Sequence, residues 1–138
     1  MPIIGHSLNK INIERKANLT KEDKIQNNIK IASIEAGQIK LENEEREVLN
    51  INFEFTVDYG KAGNLELKGY VIFQDSGKNI KEILEKWKKE EKFPDLFGTQ
   101  IYNFIIMKAN VKAIQLEDDV GLPSHIVFPR VELKQKQD

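Results

Sequence analysis

From residue 51 the chain alternates strictly: Ile51, Phe53, Phe55, Val57 and Tyr59 are separated by Asn52, Glu54, Thr56 and Asp58. A period of two puts one set on a buried face and the other in water, so the segment predicts a half-buried strand. Gly60 to Asn64 follows, with residues that tolerate positive φ, and Leu65 to Phe73 resumes the strand pattern. Together they predict a β-hairpin with a five-residue loop. In its second arm Leu65, Leu67, Val71 and Phe73 share one face, and Glu66, Lys68, Tyr70 and Ile72 the other. Upstream, Ile11 to Ala17 and Ile25 to Ile34 read as two more strands, joined by the polar connection Asn18 to Lys24. Gly37 and then Glu42 to Glu47 read as a loop before the main hairpin.

After Gly77 the period lengthens. Ile80, Ile83, Leu84 and Trp87 recur at helical spacing behind a cap at Ser76 or Asn79, with lysines and glutamates on the opposite face. Phe93-Pro94 ends this helix, because the residue before a proline is pushed out of the α region. Asp95 is placed to cap a second helix, Phe97 to Leu116, which is apolar round most of its circumference. Phe97, Ile101, Phe104, Ile105 and Val111 form one face; Tyr102, Ile106, Ala109 and Ala113 form another; Leu96, Met107 and Ile114 extend the surface. Thr99, Asn103 and Asn110 are its only polar stripe. One sheet covers one side of such a helix, so the other side is expected to be shared between chains. Phe97, Ile101, Tyr102, Ile106, Ala109 and Ala113 are the residues expected at that oligomer interface. Beyond the helix, Leu122 to Val131 is apolar and held extended by Pro123 and Pro129, and residues 131–138 form a polar tail.

These elements predict an α+β fold: a four-stranded antiparallel sheet with a long helix packed on one face, forming a single domain over residues 1–138 with its core at about 10–130. Hydrophobic residues make up 40% and charged residues 31%, a globular balance, and the net charge of −1 offers no pull toward nucleic acid. No stretch reaches the ~18 consecutive apolar residues of a membrane span, so no membrane insertion is expected. The chain has no cysteine, which excludes a disulfide framework and thiolate zinc sites and fits a reducing, cytoplasmic setting.

Groupings that carry chemistry are sparse. His6 and His125 have no metal-ligand spacing, and Ser124-His125 is not a nucleophile–base pair by adjacency. Gly77-Lys78-Asn79 lacks the first glycine and the hydroxyl of a phosphate-binding loop. Glu117-Asp118-Asp119 reads as a solvated acidic helix end. No catalytic residue, metal or cofactor is expected, and the sequence points away from an enzyme. The unusual property is apolar surface: the two-sided helix and the stretch Leu122 to Val131.

In its order of elements the chain resembles the bacterial export chaperone SecB and its divergent relatives. The resemblance rests on strand, crossover and strand (Ile11 to Ile34), a hairpin (Ile51 to Phe73), and a long apolar helix introduced by Phe93-Pro94-Asp95-Leu96-Phe97. A Gly-Leu-Pro turn then leads into an apolar segment with prolines, Gly121 to Pro129. Two features depart from that family: the helix Asn79 to Glu91 is longer than its connection there, and the stretch after Pro129 is too short for its last helix. The resemblance implies an ATP-independent holdase, assembled as a homo-oligomer (dimer or tetramer), whose partners are unfolded or precursor polypeptides. It implies grooves bordered by Asn18 to Lys24 and by the post-helix segment. The peptide-binding residues would be Phe53, Phe55, Leu122, Ile126, Val127 and Phe128. Two other classes fit the same surfaces: a binding module dedicated to one partner, and a small α+β enzyme using Asp95 at the helix N-terminus.

Overall fold

The computed structural model describes residues 3–127; Phe128, Pro129 and the expected polar tail lie outside the described residues. Four strands come first, β1 (Ile3–Arg15), β2 (Gln26–Leu41), β3 (Glu44–Asp58) and β4 (Gly63–Gln74), and then two helices, α1 (Gly77–Glu90) and α2 (Asp95–Val120). The strands form one sheet in the order β1-β4-β3-β2, with every neighbouring pair antiparallel. The expected fold class is thus the observed one. Among the described residues no helix is long and apolar enough to cross a membrane.

The β3–β4 hairpin follows its pattern closely. Asp58 pairs with Asn64, and Ile51, Phe53, Phe55, Val57, Leu65, Leu67, Val71 and Phe73 are all buried on one face. Both helices lie on that face. Ile80 and Ile83 of α1 join Leu49, Ile51 and Phe73 in one core cluster with Phe97, Ile101 and Ile105 of α2. Ala109 and Ala113 of α2 continue into a second cluster with Phe55, Val57, Leu65 and Leu67. The opposite sheet face carries a cross-strand ladder in which Lys68 meets Glu54 at 3.5 Å, and Glu66 meets Lys10 at 3.1 Å and Lys68 at 3.6 Å. Lys10 and Lys68 are direct cross-strand partners. Glu66 between them relieves their repulsion, and Lys10 in turn holds the Glu66 carboxyl below the ordinary carboxylate range.

Three local expectations are corrected. Glu42 to Glu47 is not a loop: β2 and β3 extend through Gly37 and Arg46, joined by a tight turn at Glu42 and Asn43. Both turn residues have positive φ, 54° and 67°, the geometry that matches strand twist. Backbone pairing decides here, since a polar two-stranded extension has no apolar alternation to announce it. Asp95 does not cap α2: the N-cap is Pro94 with no side-chain bond, and Asp95 sits in the first turn. Its carbonyl accepts from the Thr99 hydroxyl at 2.9 Å. At the end of α1 the reversal is made by Glu91, in the left-handed region, two residues before Phe93. Ser76 does cap α1, its hydroxyl accepting from Asn79 N–H.

The connection from β1 to β2 joins opposite edges of the sheet, so it must pass the ends of β4 and β3. It does so at the hairpin tip, where Lys16 N–H donates to the Ala62 carbonyl at 2.7 Å. Asp23 completes the crossing, its carboxylate accepting from Thr20 N–H at 3.0 Å and Lys61 N–H at 3.2 Å. These donors, Thr20 foremost, hold the Asp23 carboxyl below 3.8, its ordinary value. The crossover is therefore expected to be fully anchored above that pH and to loosen as the pH falls through the lower folded value. Asp23→Asn should speed amide exchange at Thr20 and Lys61 at neutral pH while leaving β3 protected. Unchanged exchange at both would show that the anchor lies elsewhere.

Candidate functional site

Between β1 and α2 lies a solvent-open apolar groove of about 600 Å3. Leu8 and Ile11 of β1 form one wall, Phe104, Met107 and Val111 of α2 the other, and Phe53 and Val71 the floor. His6, Ser7, Lys108, Lys112 and Gln115 are its polar lining residues. Ile11, Met107 and Val111 are about half exposed, at 49%, 55% and 55%, a large apolar area to leave in water.

A bulge builds the β1 wall. Leu8 pairs with Gly69 and Lys10 with Lys68, so Asn9 is an extra residue and the register shifts. The shift turns Leu8 and Ile11, three positions apart, toward the same face as Gly69 and Leu67. Gly69 permits the close approach: a Cβ there would strike the Ser7 carbonyl and come within 2.9 Å of the Phe53 ring. Gly69→Ala is accordingly expected to cost ~1–3 kcal/mol in chemical denaturation and to disturb the groove floor. A variant as stable as the parent would contradict this packing. At the groove mouth His6 meets the Phe104 ring edge-on at 5.3 Å, and the Lys108 ammonium lies 5.6 Å from the same ring.

A second constellation lies where the hairpin tip, the crossover and the end of α2 meet. Glu117 is 1% exposed, and its carboxylate accepts from the Tyr59 hydroxyl, from His125 N–H at 2.9 Å and from the His125 ring at Nδ1, also 2.9 Å. His125 Nε2 faces Asn110 Oδ1 at 2.8 Å, and the ring meets Phe55 edge-on at 5.7 Å. The ring thus spans the two elements, with Nδ1 on the Glu117 carboxyl and Nε2 on the Asn110 amide, which can serve it either way round. Burial, and then the bond to Glu117, push the Tyr59 phenol far above its ordinary 10.0, so it stays protonated and donates. The Glu117 and His125 side chains are 1% and 0% exposed. A substrate would have to displace the post-helix segment to reach them. The cluster is a clasp: it fixes that segment to the sheet, with Arg15 adding a bond to the Val120 carbonyl at 3.2 Å.

The residues expected to bind peptide are not brought together. Phe53 lines the groove, but Phe55 lies under the helix beside His125. Leu122 is buried in the second cluster, Ile126 is half-buried, and Val127 is 96% exposed. Neither residues 18–24 nor the post-helix segment lines the groove. Of the residues expected at an oligomer interface, Phe97, Ile101, Ala109 and Ala113 pack on the chain's own sheet. Tyr102 is half-buried against the same core, beside Phe93, whereas Ile106, 40% exposed, and Leu96 remain outward. The polar stripe divides: Thr99 and Asn103 face water, whereas Asn110 belongs to the clasp.

Comparison with protein-family models, with curated proteins and with solved structures finds no match for this chain. The class defined by its own geometry is a two-layer α+β protein with an apolar groove along an edge strand.

Proposed function

We propose that the chain is a SecB-like holdase: an ATP-independent chaperone that holds unfolded or precursor polypeptides in extended form. The observation that carries this reading is the solvent-open apolar groove between β1 and α2, beside a sheet edge. Apolar side chains entering it gain ~25 cal/mol per Å2 removed from water, before ordering costs are subtracted. The element order adds support, since strand, crossover, strand, hairpin and long helix follow in the sequence that the resemblance implies. Ile106 and Leu96 give α2 a further apolar surface on which copies of the chain associate, in the cytoplasm, so that several grooves act on one client with raised avidity.

The test is suppression of aggregation for several unrelated unfolded proteins, without ATP, at near-stoichiometric ratio. Protection of most of them supports a holdase. Protection of none, with tight capture of one partner, would replace it with a dedicated binding module.

A further inference from the structure

We propose that the groove between β1 and α2 is also a small-molecule site for an anionic amphiphile, a single acyl chain ending in a carboxylate. The inference shares its groove with the holdase reading and does not depend on it. The first observation is shape. Along α2 the lining runs from Phe104 to Gln115, a rise of ~16 Å. The volume of about 600 Å3 lies within the ~300–1,000 Å3 of small-molecule sites. An extended dodecanoyl chain has a similar length, covers the half-exposed Met107 and Val111, and leaves no polar group unpaired over the floor of Phe53 and Val71. Such a ligand touches only side chains, so the backbone edge of β1 takes no part.

The second observation is charge. Lys108 and Lys112, one helical turn apart, both line the groove, and no acidic residue does. Among the described residues neither lysine joins an ion pair, whereas Lys10, Lys68 and Lys86 all do. The groove is also asymmetric along its length. α2 runs along β1: Phe97 packs on Phe73, the partner of Ile3, and Val120 meets Arg15 at the other end. Lys112 and the Gln115 amide therefore mark one end of the groove, and the Phe104 ring, met by His6, marks the other. A carboxylate held by the two ammoniums makes charge-assisted bonds and sends its chain back along α2 toward Phe104. A cationic head finds no counter-charge in the groove, and a neutral head leaves both lysines without one.

The experiment is calorimetric titration of the full chain with octanoate, decanoate and dodecanoate, each below its micelle concentration. One saturable site per chain is expected, with an affinity that rises about two- to fourfold for each added methylene. Dodecyltrimethylammonium should bind about tenfold more weakly than dodecanoate at low salt, with the margin shrinking as salt rises. The margin should vanish in the Lys108→Gln/Lys112→Gln variant, whose changes lie on the groove rim and leave the core clusters untouched. Equal affinity for the two heads, no gain with chain length, or several sites per chain would overturn the proposal. So would capture of the chain by vesicles of anionic phospholipid with no binding of free dodecanoate. Each of these results leaves the holdase reading standing, since that reading is decided by suppression of aggregation.

Discussion

Ile101→Asp is expected to abolish the folded state, whereas Ile106→Asp should leave a folded chain of smaller mass in solution. Ile101 is 1% exposed between α2 and the sheet, packed among the apolar side chains of its core cluster, which cannot pair with a new carboxylate. Losing its packing costs ~2–5 kcal/mol, and burying an unpaired charge adds several more. The sum is of the order of the whole stability of a domain, ~5–15 kcal/mol. Ile106 is 40% exposed and points away from the groove and the core clusters, so the same change there costs little within the chain. Circular dichroism and sedimentation read both effects. If both variants unfold, or if Ile106→Asp leaves the mass unchanged, α2 does not share its outer face with a partner.

His125→Ala is expected to destabilise the chain by ~3–5 kcal/mol, because Glu117 then stays buried with, among the described residues, only the Tyr59 hydroxyl as donor apart from residue 125's own N–H. Tyr59→Phe removes one donor and should cost less, ~1–3 kcal/mol. Replacing both Glu117 and His125 by leucine should recover much of the loss, since two apolar groups leave no unpaired charge. Chemical denaturation measures all three, and a His125→Ala variant within ~0.5 kcal/mol of the parent would contradict the clasp. The raised Tyr59 value adds a pH signature. Its contribution is complete below 10.0, the free phenol's value, and is lost as the pH rises beyond it, a loss that Tyr59→Phe should remove.

The hairpin and the helices were legible because each has a clean period: Ile51 to Tyr59 alternates, and Ile80, Ile83, Leu84 and Trp87 recur at helical spacing. The division of α2 into faces was harder. A helix apolar nearly all round has no polar face to orient it, so its spacing alone puts Ala109 and Ala113 with Ile106, although in the structure they continue the stripe of Ile101 and Ile105. That stripe, followed four residues further, reaches Glu117 and marks it as buried, a signal masked by its acidic neighbours Asp118 and Asp119. Its partners Tyr59 and His125 are distant in sequence, and only the fold brings them together. The groove was hidden for a different reason. The bulge at Asn9 breaks the period of two in β1, so nothing in the spacing of Leu8 and Ile11 announces a shared face.

The most direct measurement of the central claim is methyl NMR of the chain titrated with an unfolded client. The account predicts shifts concentrated at Leu8, Ile11, Met107 and Val111 around the groove, with the methyls of Ile80 and Ile83 under α1 unmoved. Shifts confined to the opposite sheet face, or no shifts at client concentrations that suppress aggregation, would contradict it.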